Sequence, residues 1–369
     1  MESNELCLDG CKTRQERLAK ELVAQGLSAA IFSSHANVQY FTAFRPHWLV
    51  NSLLIIDDTG HSTLVAPNRI PDRVAAHEVL TYSAQWHSTL RQDQLSDASN
   101  ALRDSIGSVS GRIGCESELP GSVIGLLNVN ELSRVVDINP TMWKLRRRKD
   151  EDELAMIRRS IACTHAMYET AKEILEPGIN ELEMYSQLHR TAIRVAGEPL
   201  TAFGNDYQCN SRGGPPRDRV TEAGELYILD LGPCCSGYWA DNCRTFAVDG
   251  RPSDSQQAAW EAIVSALRHV EQTVRPGKSC YELFNEVQAM LDEYQEGAFC
   301  HHLGHGFGLF PHETPHLNPN WEDSFEIGDV FTAEPGLYTE ELRSGIRLEQ
   351  NYLVTADGVE RLTSFPLEL

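Results

Sequence analysis

Two runs of this chain set acidic residues where like charges would meet. The first, Glu225 to Arg244, reads ELYILDLGPCCSGYWADNCR. Leu226 to Leu231 is apolar and β-favouring, Gly232-Pro233 and Ser236-Gly237 are turn residues, and Tyr238 to Val248 alternates again, which predicts strand, turn, strand. A turn centred on Cys235 and Ser236 puts Asp230 directly opposite Asp241, with Cβ atoms roughly 5 Å apart on one sheet face. The second run holds Phe331-Thr-Ala-Glu334-Pro-Gly and, after a turn, Gly345-Ile-Arg-Leu-Glu349-Gln-Asn. With Glu341 and Leu342 central in that turn, Glu334 opposes Glu349 in the same way. Like charges so placed repel unless a cation sits between them.

Between the two runs lies His301 to His316, which holds five of the thirteen histidines within sixteen residues. Taken singly, each glutamate is an ordinary surface residue and each histidine an ordinary turn residue. Together, four carboxylates match two divalent cations in charge, and the mixed oxygen and imidazole set suits Mn, Co, Fe or Zn. Gly304, Gly306 and Gly308 do not make a phosphate loop, because no GK[ST] and no strand-to-helix frame accompanies them. They are expected instead to let the backbone pass close to a site.

The elements that must position these groups follow from the rest of the chain. Thr13 to Gln25 reads as an amphipathic helix stopped by Gly26, followed by a strand at Ala29 to Phe32 and a short helix opened by Asn37. Leu49 to Asp57 and His61 to Ala66 flank Asp58-Thr-Gly, a hairpin signal. Alternation of helix and strand continues through Asp93 to Ile106, Arg112 to Glu116 and Val135 to Asp137, so residues 1–145 are expected to form an α/β domain. The charged run Arg146 to Glu153 leads into a helix over Glu151 to Glu173, its acids favoured in the first turn by the helix dipole. Two helices, the first hairpin, helices near Ser255 to Val274 and Cys280 to Glu293, and the terminal strands then give residues 146–369 an α+β class with antiparallel pairing.

Composition bounds the partners. The chain has 369 residues, 41% of them hydrophobic, enough for two domains with substantial cores. A formal charge of -21, from 32 basic and 53 acidic residues, argues against general affinity for nucleic acid or anionic membrane. The N-terminal residues lack an apolar signal core, and no segment offers the roughly 18 to 20 apolar residues of a membrane span. Ten irregularly spaced cysteines then point to reduced thiols and a cytoplasmic protein. Cys7 and Cys11 lack a matching second pair for a structural metal. Cys209, Cys234, Cys235, Cys243 and Cys300 read as small buried apolar residues.

The motifs ILDLG, YWADNCRTF, GHGFG with PHE, AEPG and RLEQ, in that order from Leu145 onward, resemble the creatinase, prolidase and aminopeptidase P superfamily of pita-bread metallopeptidases. Thr13 to Ala66 resembles the N-terminal domain of its prolidase and creatinase branch. The resemblance implies Asp230, Asp241, His305, Glu334 and Glu349 as metal ligands. All five are present, whereas creatinase has lost metal dependence, so the set points to the peptidases. Two divalent ions, manganese first, would hold a bridging hydroxide and polarise the carbonyl of a short peptide, an Xaa-Pro dipeptide or an N-terminal Xaa-Pro bond. Glu334 then acts as general base, His312 stabilises the tetrahedral intermediate, and His301 faces the substrate. Arg347 holds a carboxylate of the substrate or of a ligand, or pairs structurally with an acidic neighbour. Relatives with this N-terminal domain are commonly dimers, so a homodimer is implied.

One departure matters. The loop before the first ligand strand usually carries a substrate-touching histidine in a motif like PHG, and here Gly213 stands in its place within Asn210-Ser-Arg-Gly-Gly-Pro-Pro. Arg212 or Asn210 is expected to take over that contact. The alternatives are a hydrolase or lyase of a small non-peptide metabolite, and a non-catalytic binding module on the same fold.

Overall fold

The computed structural model describes residues 5–106, 111–126 and 134–369. Contacts divide the chain into two compact units, Met1–Arg146 and Arg147–Leu369.

In the first unit, α1 (Leu8–Gln25) ends where Gly26 takes φ 65° and closes the last turn with its N–H. Then come β1 (Leu27–Phe32), α2 (His35–Thr42), β2 (Leu53–Asp57), β3 (Ser62–Pro67) and β4 (Glu78–Tyr82), a small hairpin of β5 (Gln85–Trp86) and β6 (Thr89–Leu90), and α3 (Gln94–Ile106). The unit closes with β7 (Arg112–Cys115), α4 (Gly121–Leu126), β8 (Val135–Asp137) and α5 (Asn139–Arg147). Six strands form one mixed sheet in the order β4-β3-β2-β1-β7-β8. The Asp58-Thr-Gly signal makes the β2–β3 turn, where the Asp57 carboxylate accepts the Thr59 and His61 N–H groups.

The second unit opens with α6 (Glu151–Ile174), whose N-terminus is closed by Glu153 Oε2 accepting the Asp150 N–H at 3.0 Å. Next is α7 (Glu181–Ala196), capped by the Asn180 side chain. Strands β9 (Ala202–Asp206), β10 (Leu226–Cys235), β11 (Tyr238–Trp239) and β12 (Asn242–Ala247) form one antiparallel sheet with β10 central. After α8 (Asp254–Thr273) and α9 (Cys280–Asp292) come β13 (Gly304–Gly306), β14 (Glu313–Leu317), β15 (Val330–Ala333), β16 (Gly336–Leu337), β17 (Ile346–Arg347), β18 (Gln350–Val354) and β19 (Val359–Arg361). Their main sheet runs β14-β13-β15-β18-β19, all antiparallel, with β16 paired to β17. Helices α6 and α7 bury Met167, Leu188 and Ala192 with Tyr227 and Leu229 of β10, while α8 and α9 bury Ile263, Val270 and Leu283 with Phe331 and Tyr352. Every residue of β10 is buried, which is why its sequence reads as a continuous apolar run. Truncating a side chain as enclosed as Leu188 to alanine costs about 2–5 kcal/mol.

The first hairpin differs in register from the expectation. Ser236 and Gly237, at φ 46° and 86°, are the central turn residues, a left-handed pair as primed hairpin turns require. The turn therefore sits one residue further along, Asp230 pairs with Cys243, and Asp241 falls in the break between β11 and β12. The second hairpin keeps its expected register. Ala333 pairs with Gln350 on one side and Gly336 with Arg347 on the other, which brackets Glu334 against Glu349.

Glycines 304 and 306 serve strand packing. A Cβ on Gly304 would come within 2.1 Å of the Thr332 carbonyl oxygen, and one on Gly306 within 2.2 Å of that of Thr314. Their missing side chains let β13 lie between its neighbours and carry His305 inward.

Candidate metal centre

Five side chains converge, two from strands and three from the breaks between strands. Asp230 comes from the middle of β10, Asp241 from the β11–β12 break, His305 from the centre of β13, and Glu334 and Glu349 from the residues bracketed by β15, β16, β17 and β18. All five are buried. Ligating oxygens of Asp230, Glu334 and Glu349 lie within 4.8 Å of one another, and so do ligating atoms of Asp241, His305 and His312. The two groups meet where His305 Nε2 stands 3.7 Å from Asp241 Oδ2 and 3.5 Å from Glu334 Oε1.

Electrostatics decides what this cluster is for. Burial and the charges of Asp230 and Glu334 drive the Asp241 carboxyl well above the ordinary range, and burial with Asp241 does the same to Glu349. Both Glu349 oxygens are buried without a hydrogen-bond partner. An uncompensated buried carboxylate costs several kcal/mol, a cost that a cation held between these groups would offset. His305 fits the same purpose. Its Nδ1 lies 3.0 Å from the Gly306 carbonyl and must donate to it, which leaves the Nε2 lone pair facing the carboxylates. Burial pushes this imidazole down to about 3, so it stays neutral and able to ligate. The donor set thus fits two divalent ions.

Four of the five, Asp230, Asp241, His305 and Glu334, line a cavity of about 410 Å³, the size range of a small-ligand site. Arg347, on β17, faces the cluster. Its Nη2 lies 2.7 Å from Asp230 Oδ2 and 2.5 Å from Asp206 Oδ2, and its Nη1 donates to the Tyr338 hydroxyl at 3.1 Å. Of the alternatives left open for Arg347, the structure has it holding a carboxylate of the cluster together with an acidic neighbour.

Glu334 accepts from His302, whose Nε2 is 3.2 Å from Oε1. Burial alone would raise Glu334, but the His302 bond and the neighbouring imidazoles outweigh it and hold the carboxyl below its ordinary range. For His302 burial opposes the charge, and the same bond with Glu334 more than offsets it, raising its pKa. His312 is exposed on the cavity with its ring stacked on that of His305, centroids 3.7 Å apart.

His301 also lines the cavity, yet both its ring nitrogens are engaged. Nδ1 donates to the His302 carbonyl at 2.7 Å and Nε2 accepts from the Tyr338 hydroxyl at 3.0 Å. Neither nitrogen is left over for another group in the cavity. Arg212 lines the cavity, whereas Asn210 does not. The exposed Asn210 sits at φ 51° with its N–H bonded to the Leu226 carbonyl. The four cysteines Cys209, Cys234, Cys235 and Cys243 are buried as expected, but Cys300 is exposed and lines the cavity.

Asp206, His302 and Tyr338 were not singled out by sequence. His302 carries a signal as the neighbour of His301 in the histidine run, and Tyr338 lies four residues after Glu334. Asp206 carries none, since its importance comes only from the pairing of β9 with β10.

The description "Metallopeptidase family M24" fits residues 155–356, more than half of the chain. The chain belongs to this family. Residues 14–148 match the Creatinase/Prolidase N-terminal domain. The metallopeptidase is 28% identical to an uncharacterized peptidase of Staphylococcus aureus, covering 96% of this chain and 99% of the relative. It is 26% identical to the Xaa-Pro dipeptidase of Pyrococcus furiosus, covering 97% and 99%. Among solved structures it resembles the prolidase of Pyrococcus horikoshii, with a TM-score of 0.81, 23% identity and coverage of 97% and 99%. The Xaa-Pro dipeptidase of Bacillus anthracis gives 0.82, 22%, 97% and 99%. The two-part pita-bread architecture expected from the motifs is therefore the fold of this metallopeptidase, and divalent metal is its cofactor class.

Proposed function

We propose that this metallopeptidase hydrolyses short peptides, Xaa-Pro dipeptides or N-terminal Xaa-Pro bonds, using two divalent ions at the five-residue cluster. The observation that carries the reading is the convergence of Asp230, Asp241, His305, Glu334 and Glu349, with the buried oxygens of Glu349 left for a cation. Relatives named as Xaa-Pro dipeptidase and prolidase support the substrate class.

Two bound divalent cations, manganese first among Mn, Co, Fe and Zn, would polarise the scissile carbonyl and acidify the attacking water. The remaining work falls to side chains. Glu334, kept ionised and oriented by His302, takes the proton of the water and returns it to the leaving nitrogen. His312, exposed on the cavity, donates to the oxygen that gains charge as the carbonyl becomes tetrahedral. Arg347 fixes Asp230 from the cavity wall, and His301 lines the cavity held by Tyr338. A cavity of about 410 Å³ suits a peptide of two or three residues. The protein acts as a cytoplasmic homodimer in this reading, with the mass by light scattering as the check.

Manganese-loaded protein incubated with dipeptides and tripeptides having proline second, with and without chelator, tests the proposal by mass spectrometry of products. Cleavage before proline that chelator stops, and that Glu334→Gln lowers by about a thousandfold or more, is the expected result. Intact peptides with metal demonstrably bound would overturn it in favour of a small non-peptide substrate.

A further inference from the structure

The loop that lacks the family's histidine is built around something else. A Cβ on Gly213 would come within 2.3 Å of Asp206 Oδ2 and 2.5 Å of Asp206 Cγ, so no side chain fits there while Asp206 holds its place. Asp206 is itself fixed. One carboxylate oxygen accepts the Gly214 N–H at 2.7 Å and the other meets Arg347. Arg347 in turn donates through Nη1 to the Arg212 carbonyl at 3.1 Å. The backbone on both sides of Gly213 is therefore tied down by one part-buried charge network, and the side chain it delivers to the cavity is Arg212.

The guanidinium of Arg212 lies with Cζ 5.1 Å from the centre of the Tyr338 ring and Nη1 3.5 Å from Cys300 Sγ. It is exposed, and no carboxylate pairs with it among the described residues, in a chain of net charge -21. Arginine stacked on an aromatic ring keeps its outward N–H groups free and planar, the geometry that grips a carboxylate through two parallel hydrogen bonds. The other cavity guanidinium, Arg347, is already committed to Asp206 and Asp230.

We infer that Arg212 anchors the free C-terminal carboxylate of the substrate, making this protein a dipeptidase rather than an aminopeptidase acting on longer chains. The inference rests on the peptidase reading above and adds substrate length to it. Position 213 offers the cavity no side chain, whereas Arg212 lines it with a positive charge. The same charge would also accept an acidic side chain of the substrate, and the test separates the two sources.

The manganese-loaded protein is titrated calorimetrically with a non-hydrolysable reduced-bond analogue of Leu-Pro and with its C-terminal amide, and turnover is measured for Leu-Pro, Leu-Pro-amide, Glu-Pro-amide and Leu-Pro-Gly. The free acid is expected to bind roughly tenfold or more tighter than the amide, the scale of one charge-assisted contact, and to be turned over with a correspondingly lower KM. In Arg212→Gln, with metal content unchanged, that ratio collapses toward one through KM, and Arg212→Lys restores part of it. Equal binding of acid and amide, or a preference that survives Arg212→Gln, would overturn the inference. So would a preference for Glu-Pro-amide over Leu-Pro-amide without any for the free acid, which would assign the guanidinium to a side chain. If the analogues bind with the expected ratio and no peptide is cleaved, the carboxylate anchor stands and the peptidase reading fails.

Discussion

Asp206 and Asp230 stand directly across an antiparallel ladder from each other, and one nitrogen of Arg347 reaches both, at 2.5 Å and 2.7 Å. Opposed carboxylates on one sheet face are mutually repulsive. A single guanidinium thus holds together the first ligand strand and the loop that shapes the cavity. Arg347→Met leaves the two acids facing each other, and the metal-free protein is expected to lose about 3 kcal/mol in urea denaturation. Manganese should narrow the gap between variant and wild type, because an ion held by Asp230 would offset its charge. An equal deficit with and without metal would count against this arrangement.

Glu349 is expected to stabilise the protein only when cations are present. Its oxygens have no partner and its carboxyl is raised by burial and by Asp241. In chelator, Glu349→Gln is expected to be as stable as wild type or about 1 kcal/mol more stable, since a like charge has gone. In manganese the order reverses, and the rise in Tm on adding metal shrinks. Thermal denaturation of both proteins, each with metal and with chelator, measures it.

His302 is expected to matter more to the chemistry than its neighbour His301. It bonds Glu334 at 3.2 Å, whereas His301 is tied to Tyr338. Supporting partners of this kind are worth about 10–100-fold. His302→Ala should therefore lower kcat by that factor, and His301→Ala should act chiefly on KM. Steady-state kinetics on one Xaa-Pro substrate, with metal content verified, distinguishes the two.

Lys149 and Glu313 form an ion pair at 2.7 Å, with side chains only 1% and 6% exposed. Removing the cation takes the ion-pair partner from a buried carboxylate, so Lys149→Met should cost about 3–5 kcal/mol. Replacing both partners together, Lys149→Met with Glu313→Leu, should recover most of that. Urea midpoints for the single and double variants give the answer.

Much of the site was legible in the chain because the chemistry that needs it is local. Asp230, Glu334 and Glu349 lie in alternating or apolar runs that announce strands, and a turn of fixed length relates Glu334 to Glu349 whatever else the fold does. The Asp230 to Asp241 relation was misjudged because a shift of one residue in a turn moves the register by two, and the φ values of Ser236 and Gly237 settle that shift. His302 was overlooked for a different reason. Five histidines in one run give no hint of which imidazole will meet Glu334, since that depends on how β13 packs against β15.

By itself, then, the sequence determined the order of elements, the chemical character of the centre and the absence of the loop histidine. These follow from residue type, period and spacing, which the chain carries without folding. Tertiary structure alone decided that Asp206 faces Asp230, that Arg347 joins them, and that Arg212 comes to the cavity while Asn210 does not. Those partners are drawn together from residues up to 141 positions apart, and only the packing of β9, β10 and β17 brings them within hydrogen-bond reach.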